Sequence, residues 1–379
     1  MSERIKNKIV RAITVSVNVD FFKPIVRDLQ RRGYEVVSVS SPGPELEELR
    51  LMGVKTIEIP MQRRISILKD IVSLFQIIKA FKIEKPYIVH SLTPKAGLLC
   101  MLAAWITRVP RRIHTVTGLI WPTTKGALRW VLMSTDWLTC ACATHIIPEG
   151  YGVMKDLRRI TSKPMKVLGF GNVKGVDLVR FSPRPELNEK VSSIKTPGIF
   201  TFLFVGRLVG DKGLNELVQS FERLLLSFSN VRLLLVGKYE TDIDPLKSAT
   251  ISKINSITEI QFVGPQFGDD LVAYYEASDC FVFPSYREGM PNSLIEAGAM
   301  GLPSIVTDIN GCNEIIKNGQ NGVLVQPKNV DALYDAMERM IADKVSYNRM
   351  AANARPLIES RFEQSFVKKC LLDFYNEIM

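Results

Sequence analysis

The chain has 379 residues, more than one hydrophobic core usually organises, so the sequence predicts two domains. Apolar residues make up 46% and aromatic residues 8% of it, which is typical of a soluble α/β protein. No apolar run approaches the length of a membrane-spanning helix, about 18 residues. The net charge of +10 favours an anionic partner.

Positive charge is concentrated in the first half of the chain. Residues 1–180 contain 29 Lys and Arg against 14 Asp and Glu, a net charge of +15, whereas residues 181–379 contain 20 against 25, a net charge of −5. One half is therefore expected to meet an anionic surface, a membrane or a nucleic acid; the alternative is that the cations cover solvated helix faces. Nucleic acid is disfavoured because aromatic residues are not interleaved with the cations as stacking platforms would require.

In the first half, short apolar segments alternate with helical patterns. We predict strands at 9–17, 35–39, 56–59, 87–91, 112–116, 144–147 and 166–169, and helices at 21–32, 44–51, 63–85 and 125–142. The first apolar run contains Asn18 and Asp20, so it indicates a strand rather than a signal peptide. Such alternation builds βαβ units with right-handed crossovers, so this half is expected to be a Rossmann-like domain. The glycine-rich segment 169–177 is interpreted as the hinge to the second domain.

The predicted helix at 63–85 has more apolar residues than a single core contact needs. One stripe contains Ile67, Leu68, Ile71, Leu74, Phe75 and Ile78, and the basic residues Arg63, Arg64, Lys69, Lys79 and Lys82 accompany it. This pattern fits a helix on anionic lipid, and a helix buried on two sides is the alternative. The apolar loop Leu119-Ile120-Trp121 has two similar interpretations, a membrane or acceptor contact and a lid folded over the core.

The second half repeats the alternation. We predict strands at 201–205, 232–236, 260–263, 280–283, 304–306 and 323–325, and helices at 214–227, 269–277, 331–342 and 347–379. These segments form a second Rossmann-like unit. The last helix is a candidate to cross back onto the first domain.

The stretch Pro284–Gly298 contains the most informative pattern. A buried strand runs into a loop punctuated by Gly and Pro, and a helix follows. At the carboxyl end of a parallel strand, a helix N-terminus offers free N–H groups and a positive dipole end, which suit a phosphate. Gly289 permits a turn that directs the backbone of Met290, Pro291, Asn292, Ser293 and Leu294 at an anion.

Two carboxylates flank this turn, and each has a structural alternative. Glu296 has the position to accept hydrogen bonds from ribose hydroxyls, but Ser293 and Glu296 also have capping-box spacing. Glu288 is either a ligand-binding group or a solvated loop carboxylate. The loop after the strand predicted at 201–205 carries further candidates. There Gly206 and Gly213 allow close backbone approach, and Arg207 and Lys212 supply cations for a nucleotide diphosphate.

Few other residues indicate chemistry. His90 and His114 lie near predicted strand ends, where a histidine is either a hydrogen-bonded core residue or a catalyst. The six cysteines lack zinc-ligand spacing, so reduced thiols in the cytoplasm are the simplest interpretation. No sequence pattern indicates a bound metal or a resident cofactor.

The pair Glu288 and Glu296 resembles the E-x7-E signature of the retaining glycosyltransferases of family 4, the group 1 glycosyltransferases. The resemblance spans most of the chain. Further matching motifs are Phe204-Val205-Gly206-Arg207-Leu208 with Lys212-Gly213, Gly175-Val176-Asp177 with Phe181, Pro284-Ser285, Gly301-Leu302-Pro303, Gly311 with Glu314-Ile315-Ile316, and Asn321-Gly322-Val323-Leu324-Val325.

This resemblance implies an α/β protein of GT-B fold, with two Rossmann-like domains whose parallel sheets face a central cleft. Residues 1–180 would bind the acceptor and residues 181–361 the sugar nucleotide, with the helix at about 362–379 packing back on the first domain. Arg207 and Lys212 would bind the diphosphate and stabilise it as the leaving group without a metal. Glu296 would hold the ribose and Glu288 the donor sugar, and front-face attack would need no dedicated base.

Two departures from the family pattern lie on the acceptor side. Many members have a histidine where this chain has Thr117, and Ser16–Asp20 replaces a glycine-rich loop. Segments 90–97 and 112–119 are similar to bacterial enzymes of capsule, O-antigen and lipid-linked oligosaccharide assembly. The resemblance therefore implies a UDP-sugar donor, often N-acetylated, and a polyprenyl-diphosphate-linked acceptor. Together with the net charge of +15 in residues 1–180, it predicts a cytoplasmic protein that is peripheral on the inner face of the plasma membrane. The alternatives are a UDP-sugar 2-epimerase of the same fold and a non-catalytic nucleotide-sugar-binding protein.

Overall fold

The computed structural model describes residues 5–240 and 244–379. These residues form two compact units, the first reaching to Lys174 and including Ser365–Met379, and the second spanning Gly175–Gln364. The sequence-based boundary after residue 180 lies a few residues further along the chain.

The first unit contains a six-stranded parallel sheet. Its strands are β1 (Ile5–Ala12), β2 (Glu35–Ser40), β3 (Lys55–Glu58), β4 (Pro86–Ser91), β5 (Arg111–Val116) and β6 (His145–Pro148). They lie in the order β3-β2-β1-β4-β5-β6, so the direction of winding reverses between β1 and β4. Val10, Val37 and Val89 are fully buried, as expected for a parallel sheet that is covered on both faces.

Helices cover both faces of this sheet. They are α1 (Val26–Arg31), α2 (Leu46–Leu51), α3 (Ile67–Glu84), α4 (Pro94–Ile106), α5 (Gly126–Cys142), α6 (Tyr151–Leu157) and, from the end of the chain, α15 (Gln364–Ile378). One face packs against α3, α4 and the end of α5, and the other against α1, α2 and α15. Leu371, Phe374 and Tyr375 anchor the terminal helix in the second of these cores.

Several predicted elements of the first unit are wrong in extent or kind. The first strand ends at Ala12, and a 3-10 segment covers Ser16–Phe21. Its buried Val19 and the following Phe22 are three residues apart, as the 3-10 period requires, although the sequence also alternates like a strand. The strand predicted at 166–169 is absent among the described residues, where Met165 forms an isolated bridge with Ile146.

The structure distinguishes between the interpretations of two apolar segments of this unit, the helix predicted at 63–85 and the loop at 119–121. Only Ser73, Ile77, Phe81 and Glu84 of α3 are buried, so the interpretation of a helix buried on two sides is wrong. In the loop after β5, Leu119 and Trp121 fold into the core and Ile120 is 40% exposed, so most of this loop is a lid.

The second unit repeats the six-stranded parallel sheet. Its strands are β7 (Phe200–Val205), β8 (Val231–Val236), β9 (Ile260–Gly264), β10 (Cys280–Phe283), β11 (Ser304–Thr307) and β12 (Gly322–Val325). They lie in the order β12-β11-β10-β7-β8-β9, so the winding reverses between β10 and β7. The helices are α7 (Asn188–Ile194), α8 (Leu214–Leu224), α9 (Ser248–Ser256), α10 (Gly268–Glu276), α11 (Asn292–Ala299), α12 (Cys312–Ile315), α13 (Val330–Ala342) and α14 (Lys344–Phe362).

The long C-terminal helix predicted at 347–379 is two helices. The chain is extended at Glu363, with ψ at 136°, between α14 and α15. Here Val176 N–H donates to Phe362 O at 2.8 Å, and Gln364 N–H donates to Val176 O at 3.0 Å. The two chain segments pass so closely that a Cβ on Gly175 would lie 2.6 Å from the Gln364 Cα atom. This short parallel contact interrupts the helix without a proline or glycine at the break.

Within the described ranges, no helix has the length and apolar character needed to cross a bilayer. All six cysteines have free thiols, and Cys370 is the one that is partly exposed.

Candidate functional site

Two loops of the second unit leave adjacent strands at the point where the winding of the sheet reverses. Residues 206–213 follow β7 and residues 284–291 follow β10. Tyr286 N–H donates to Asp211 O at 2.8 Å, and Gly213, at φ +72°, is so close to the second loop that a Cβ there would lie 2.1 Å from Pro284 O. The two loops therefore form one surface. In open α/β sheets this position, at the carboxyl ends of the strands, is where ligands bind.

Lys212 and Glu288 meet on this surface. The Lys212 Nζ atom forms a salt bridge with Glu288 Oε1, and both side chains are 13% exposed. The same ammonium lies 5.2 Å from the centre of the Phe283 ring. A cation held in place by a carboxylate and an aromatic ring is positioned before any ligand arrives. The structure thus brings together two of the three residues predicted to be catalytic.

The third, Arg207, has a different partner. Its Nη1 atom lies 2.7 Å from Glu240 Oε2, in the segment after β8, and its side chain is 41% exposed. A further pair, Arg287 Nη2 with Asp211 Oδ2 at 2.6 Å, joins the two loops. Sequence reasoning missed Glu240, Asp211 and Arg287, because no local spacing connects a loop carboxylate with a cation on another strand. A bound diphosphate would compete with these carboxylates for the cations.

The helix α11 begins beside Glu288. It starts at Asn292, and the first donor inside the helix is Ile295 N–H, which bonds to Pro291 O at 3.3 Å. The preceding N–H groups thus form the positive end of the helix, directed at the loop. Pro291 is the N-cap and has no N–H, so among residues 290–294 it can shape the predicted phosphate cradle but not donate to it.

A buried tyrosine donates a hydrogen bond to Glu296. Tyr275 of α10 is fully buried, and its hydroxyl lies 3.2 Å from both Glu296 Oε2 and Ser293 O. Burial and the neighbouring carboxylate raise the pKa of Tyr275, so the hydroxyl remains a donor. The capping-box interpretation of Ser293 is wrong because the N-cap is Pro291 and Ser293 lies inside the helix. Sequence reasoning missed Tyr275, since the adjacent Tyr274 and Tyr275 have equivalent local patterns.

Comparison with known proteins identifies the family. Residues 186–356 match the family Glycosyl transferases group 1, and residues 12–143 match Glycosyl transferase 4-like. The chain is also 33% identical to the capsular polysaccharide biosynthesis glycosyltransferase CapM of Staphylococcus aureus, over 98% of this chain and 97% of that protein. The chain belongs to the group 1 glycosyltransferases.

Two further comparisons concern sequence and fold. The glycosyltransferase is 32% identical, over 79% of its length and 78% of the relative, to the UDP-Gal:alpha-D-GlcNAc-diphosphoundecaprenol alpha-1,3-galactosyltransferase of Escherichia coli. The crystal structure of Anabaena Alr3699/HepE in complex with UDP and glucose superposes with a TM-score of 0.80, over 98% of this chain and 99% of that chain, at 16% identity. The predicted GT-B fold class, with two Rossmann-like units that each carry a parallel sheet, is confirmed.

In the first unit of this glycosyltransferase, the corresponding reversal of winding lies between β1 and β4. The two loops there are joined through Thr93, whose Oγ1 atom accepts from Thr14 N–H at 2.9 Å and lies 2.8 Å from Thr14 Oγ1. Thr93 has φ +53° and ψ 144°, a backbone conformation that non-glycine residues rarely adopt. Such a conformation persists only where surrounding contacts enforce it.

Both histidines near these loops are core residues. His114 Nδ1 lies 2.9 Å from Ser91 Oγ, and the ring packs against Gly97, where a Cβ would lie 2.4 Å from Cε1. Burial lowers the pKa of His114 to about 4 and that of His90 well below its usual range, so both rings are neutral near pH 7. The ring nitrogens of His90 form hydrogen bonds with the side chains of Arg11, Tyr375 and Thr115, each at 2.7 Å or less.

Within the described part of the chain, no group of three or more His, Cys, Asp or Glu residues is arranged to hold a metal ion.

Proposed function

We propose that this enzyme is a retaining glycosyltransferase that moves a sugar from a UDP-sugar, for which an N-acetylated sugar is a candidate, to a polyprenyl-diphosphate-linked glycan in surface polysaccharide synthesis. The product would be capsule, O-antigen or exopolysaccharide. The observation that carries the proposal is the Lys212–Glu288 pair, placed at the reversal point of the sheet and beside the N-terminus of α11. The activities of the S. aureus and E. coli relatives support the pathway and the acceptor class.

In the proposed reaction the diphosphate lies against Arg207, Lys212 and the N-terminus of α11, with Gly206 and Gly289 leaving room for it. The bond between the anomeric carbon and the phosphate oxygen breaks, and negative charge develops on the diphosphate. Preorganised cations and N–H groups stabilise that charge, so no metal ion is needed. The acceptor hydroxyl attacks from the same face and its proton passes to the departing phosphate oxygen, so the anomeric configuration is retained.

The two carboxylates would position the rest of the donor. Glu296 accepts from the ribose hydroxyls and Glu288 from hydroxyls of the donor sugar. Since Lys212 already holds Glu288, one side chain would face the phosphate while its partner faces the sugar. The bond that breaks would then lie next to this ion pair.

The acceptor and the location are proposed from the first unit. The net charge of +15 over residues 1–180, nearly all of which belong to this unit, favours a polyprenyl-diphosphate acceptor at an anionic membrane, and hence a cytoplasmic protein on the inner face of the plasma membrane.

The proposal is tested with the full-length protein and a panel of UDP-, GDP- and ADP-sugars. We expect saturable binding of a UDP-sugar, followed by transfer to a short-chain prenyl-diphosphate-linked N-acetylglucosamine, with an anomeric proton coupling in the product that shows retention. Conversion of the donor sugar to its 2-epimer without acceptor would instead identify an epimerase. Binding with neither reaction would identify a non-catalytic nucleotide-sugar-binding protein.

Tyr275→Phe tests the support of Glu296. Removing one hydrogen bond costs about 1 kcal/mol, so we expect the KM for the donor to rise roughly fivefold while kcat changes little. Initial-rate kinetics and titration with UDP measure the effect. Tyr274→Phe, the adjacent tyrosine of α10, is the matched control. An equal loss in both variants, or no change in Tyr275→Phe, contradicts the positioning role.

A further inference from the structure

Exposed apolar side chains lie on the outer sides of α3 and α5, the two helices that flank α4 on one face of the first sheet. On α3, the large apolar residues recur at spacings of three and four, so they share one face of the helix. On α5, Trp130 and Trp137 are seven residues apart and share a face in the same way. We call the following set the α3–α5 surface: Leu68 (80% exposed), Ile71 (45%), Val72 (57%), Phe75 (66%), Trp130 (68%) and Trp137 (53%).

The N-terminal part of α5 has no buried side chain. Its buried residues, Thr139, Cys140 and Cys142, lie in the last turn, and the first three turns stand on the surface. Trp130 and Trp137 are each more than half exposed, and exposing so much aromatic surface to water is unfavourable. Tryptophan is enriched at membrane interfaces, where its ring contacts apolar chains and its N–H contacts water. The sequence did not single out this helix, because α5 also carries Ser134, Thr135 and Asp136 and so lacks a continuous apolar run.

The segment that contains the α3–α5 surface is rich in cations. Residues 60–140 contain 12 Lys and Arg but only three Asp and Glu. Two of those three carboxylates are neutralised within the fold: Asp70 pairs with Lys95 at 2.8 Å, and Glu84 pairs with Lys8 at 3.0 Å and with Lys55. The field around the apolar residues is therefore strongly positive, which matches anionic headgroups.

The two helices that carry this surface start at the same edge of the sheet. The start of α3 is near the carboxyl ends of the strands, since Ser73 Oγ donates to Pro60 O just after β3, and Lys95 at the start of α4 bonds to Asp70. The start of α5 is at the same edge, because Arg129 lies 6.0 Å from the centre of the Trp121 ring in the loop after β5. These are the strand ends at which this unit would bind its acceptor.

We propose that the α3–α5 surface inserts its apolar side chains into the headgroup region of an anionic bilayer, with Trp130, Trp137 and Phe75 as anchors. Insertion gives an orientation that charge alone would not, because it turns toward the lipid the outer sides of α3 and α5, whose starts lie at the carboxyl edge of the first sheet. A second copy of the chain is a poor occupant, since two such positive surfaces repel each other. The inference rests on the peripheral-membrane part of the proposed function and names the surface responsible for it.

The test uses full-length protein with vesicles of phosphatidylcholine alone and of phosphatidylcholine mixed with phosphatidylglycerol, without any polyprenyl lipid. We expect binding to the mixed vesicles, and at least about tenfold weaker partition for the double variant Trp130→Ser/Trp137→Ser, because two aromatic side chains no longer leave water. A brominated lipid should quench the tryptophan fluorescence of the wild-type protein and lose most of this effect in the double variant.

Trp105→Ser is the matched control. Trp105 is 57% exposed and belongs to the same helical layer, but it lies at the C-terminal end of α4, near the amino ends of the strands. Equal loss of binding in the control, or full binding by the double variant, overturns the proposal. A wild-type dimer that the double variant converts to monomers also overturns it, because the surface would then be a self-contact.

Failure of this inference is distinguishable from failure of the proposed function. The double variant should retain transfer to a water-soluble short-chain acceptor, whose use does not depend on vesicles. Vesicle binding without transfer to any acceptor would contradict the proposed function and leave the membrane surface supported.

Discussion

Lys212→Ala is expected to lower kcat for sugar transfer by a factor of about 100 to 1,000, the usual consequence of removing one group that stabilises developing charge. The ammonium is held in place by Glu288 and the Phe283 ring, so it needs no rearrangement to meet the departing diphosphate. Saturating-donor kinetics measure kcat, and circular dichroism tests whether the fold is intact. Unchanged kcat would remove Lys212 from the reaction.

The matched control is Lys344→Ala. Lys344 Nζ also lies over an aromatic ring, 5.4 Å from the centre of Phe200, and it belongs to the same unit. It begins α14, whereas Phe200 begins β7 at the amino ends of the strands, away from the loops that carry Lys212 and Glu288. Full activity in this variant separates the loss of a specific charge from the loss of any lysine–aromatic contact.

Glu288→Gln separates the two proposed roles of the pair. Glutamine retains the shape and a hydrogen-bonding oxygen but not the charge, so Lys212 loses its ionic partner while remaining near the phosphate position. We expect transfer to fall as severely as in Lys212→Ala while UDP itself binds at least as tightly, because no carboxylate then competes for the ammonium. Weaker UDP binding in Glu288→Gln would mean that the carboxylate mainly orients Lys212.

The two loops of the candidate site were predictable because each of them follows an apolar strand. The β10 strand was predicted with its observed bounds, Cys280–Phe283, and the turn to α11 carries its glycine and prolines in sequence. Parallel strands end at a common edge, so Lys212 and Glu288 could be expected near each other although 76 positions separate them. Which atoms pair was not predictable, since it depends on the register of two loops.

The failures have a common cause, which is that tertiary contacts decide between equal local patterns. Tyr275 and Tyr274 differ only in the side of α10 that each occupies. The break at Glu363 depends on a contact with Val176, nearly two hundred positions away, and local sequence has no signal for it. The apolar stripe of α3 is wider than one contact with the core requires, so the sequence indicated a second contact. Whether the outer part of the stripe is covered by protein or left exposed depends on the neighbouring helices.

Gly213→Ala is expected to destabilise the second unit by about 3 kcal/mol and to abolish donor binding. Two costs combine: a left-handed conformation for a residue with a side chain, about 1 to 2 kcal/mol, and a steric overlap that forces the two loops apart. The overlap is with backbone, since the new Cβ would lie 2.1 Å from Pro284 O, so no side-chain rotation can relieve it. Separation of the loops also separates Lys212 from Glu288.

Gly319→Ala measures the first cost, the backbone strain, alone. Gly319 has nearly the same φ, +74° against +72°, but no atom lies within 4 Å of its Cβ position, so that variant incurs the backbone strain alone. Thermal unfolding in the presence and absence of UDP compares the two. We expect a small, UDP-independent shift for Gly319→Ala and a large shift for Gly213→Ala, with the stabilisation by UDP lost in Gly213→Ala. If both variants respond to UDP alike, the contact between the loops does not build the donor site, and the placement of the diphosphate between Arg207, Lys212 and α11 is wrong.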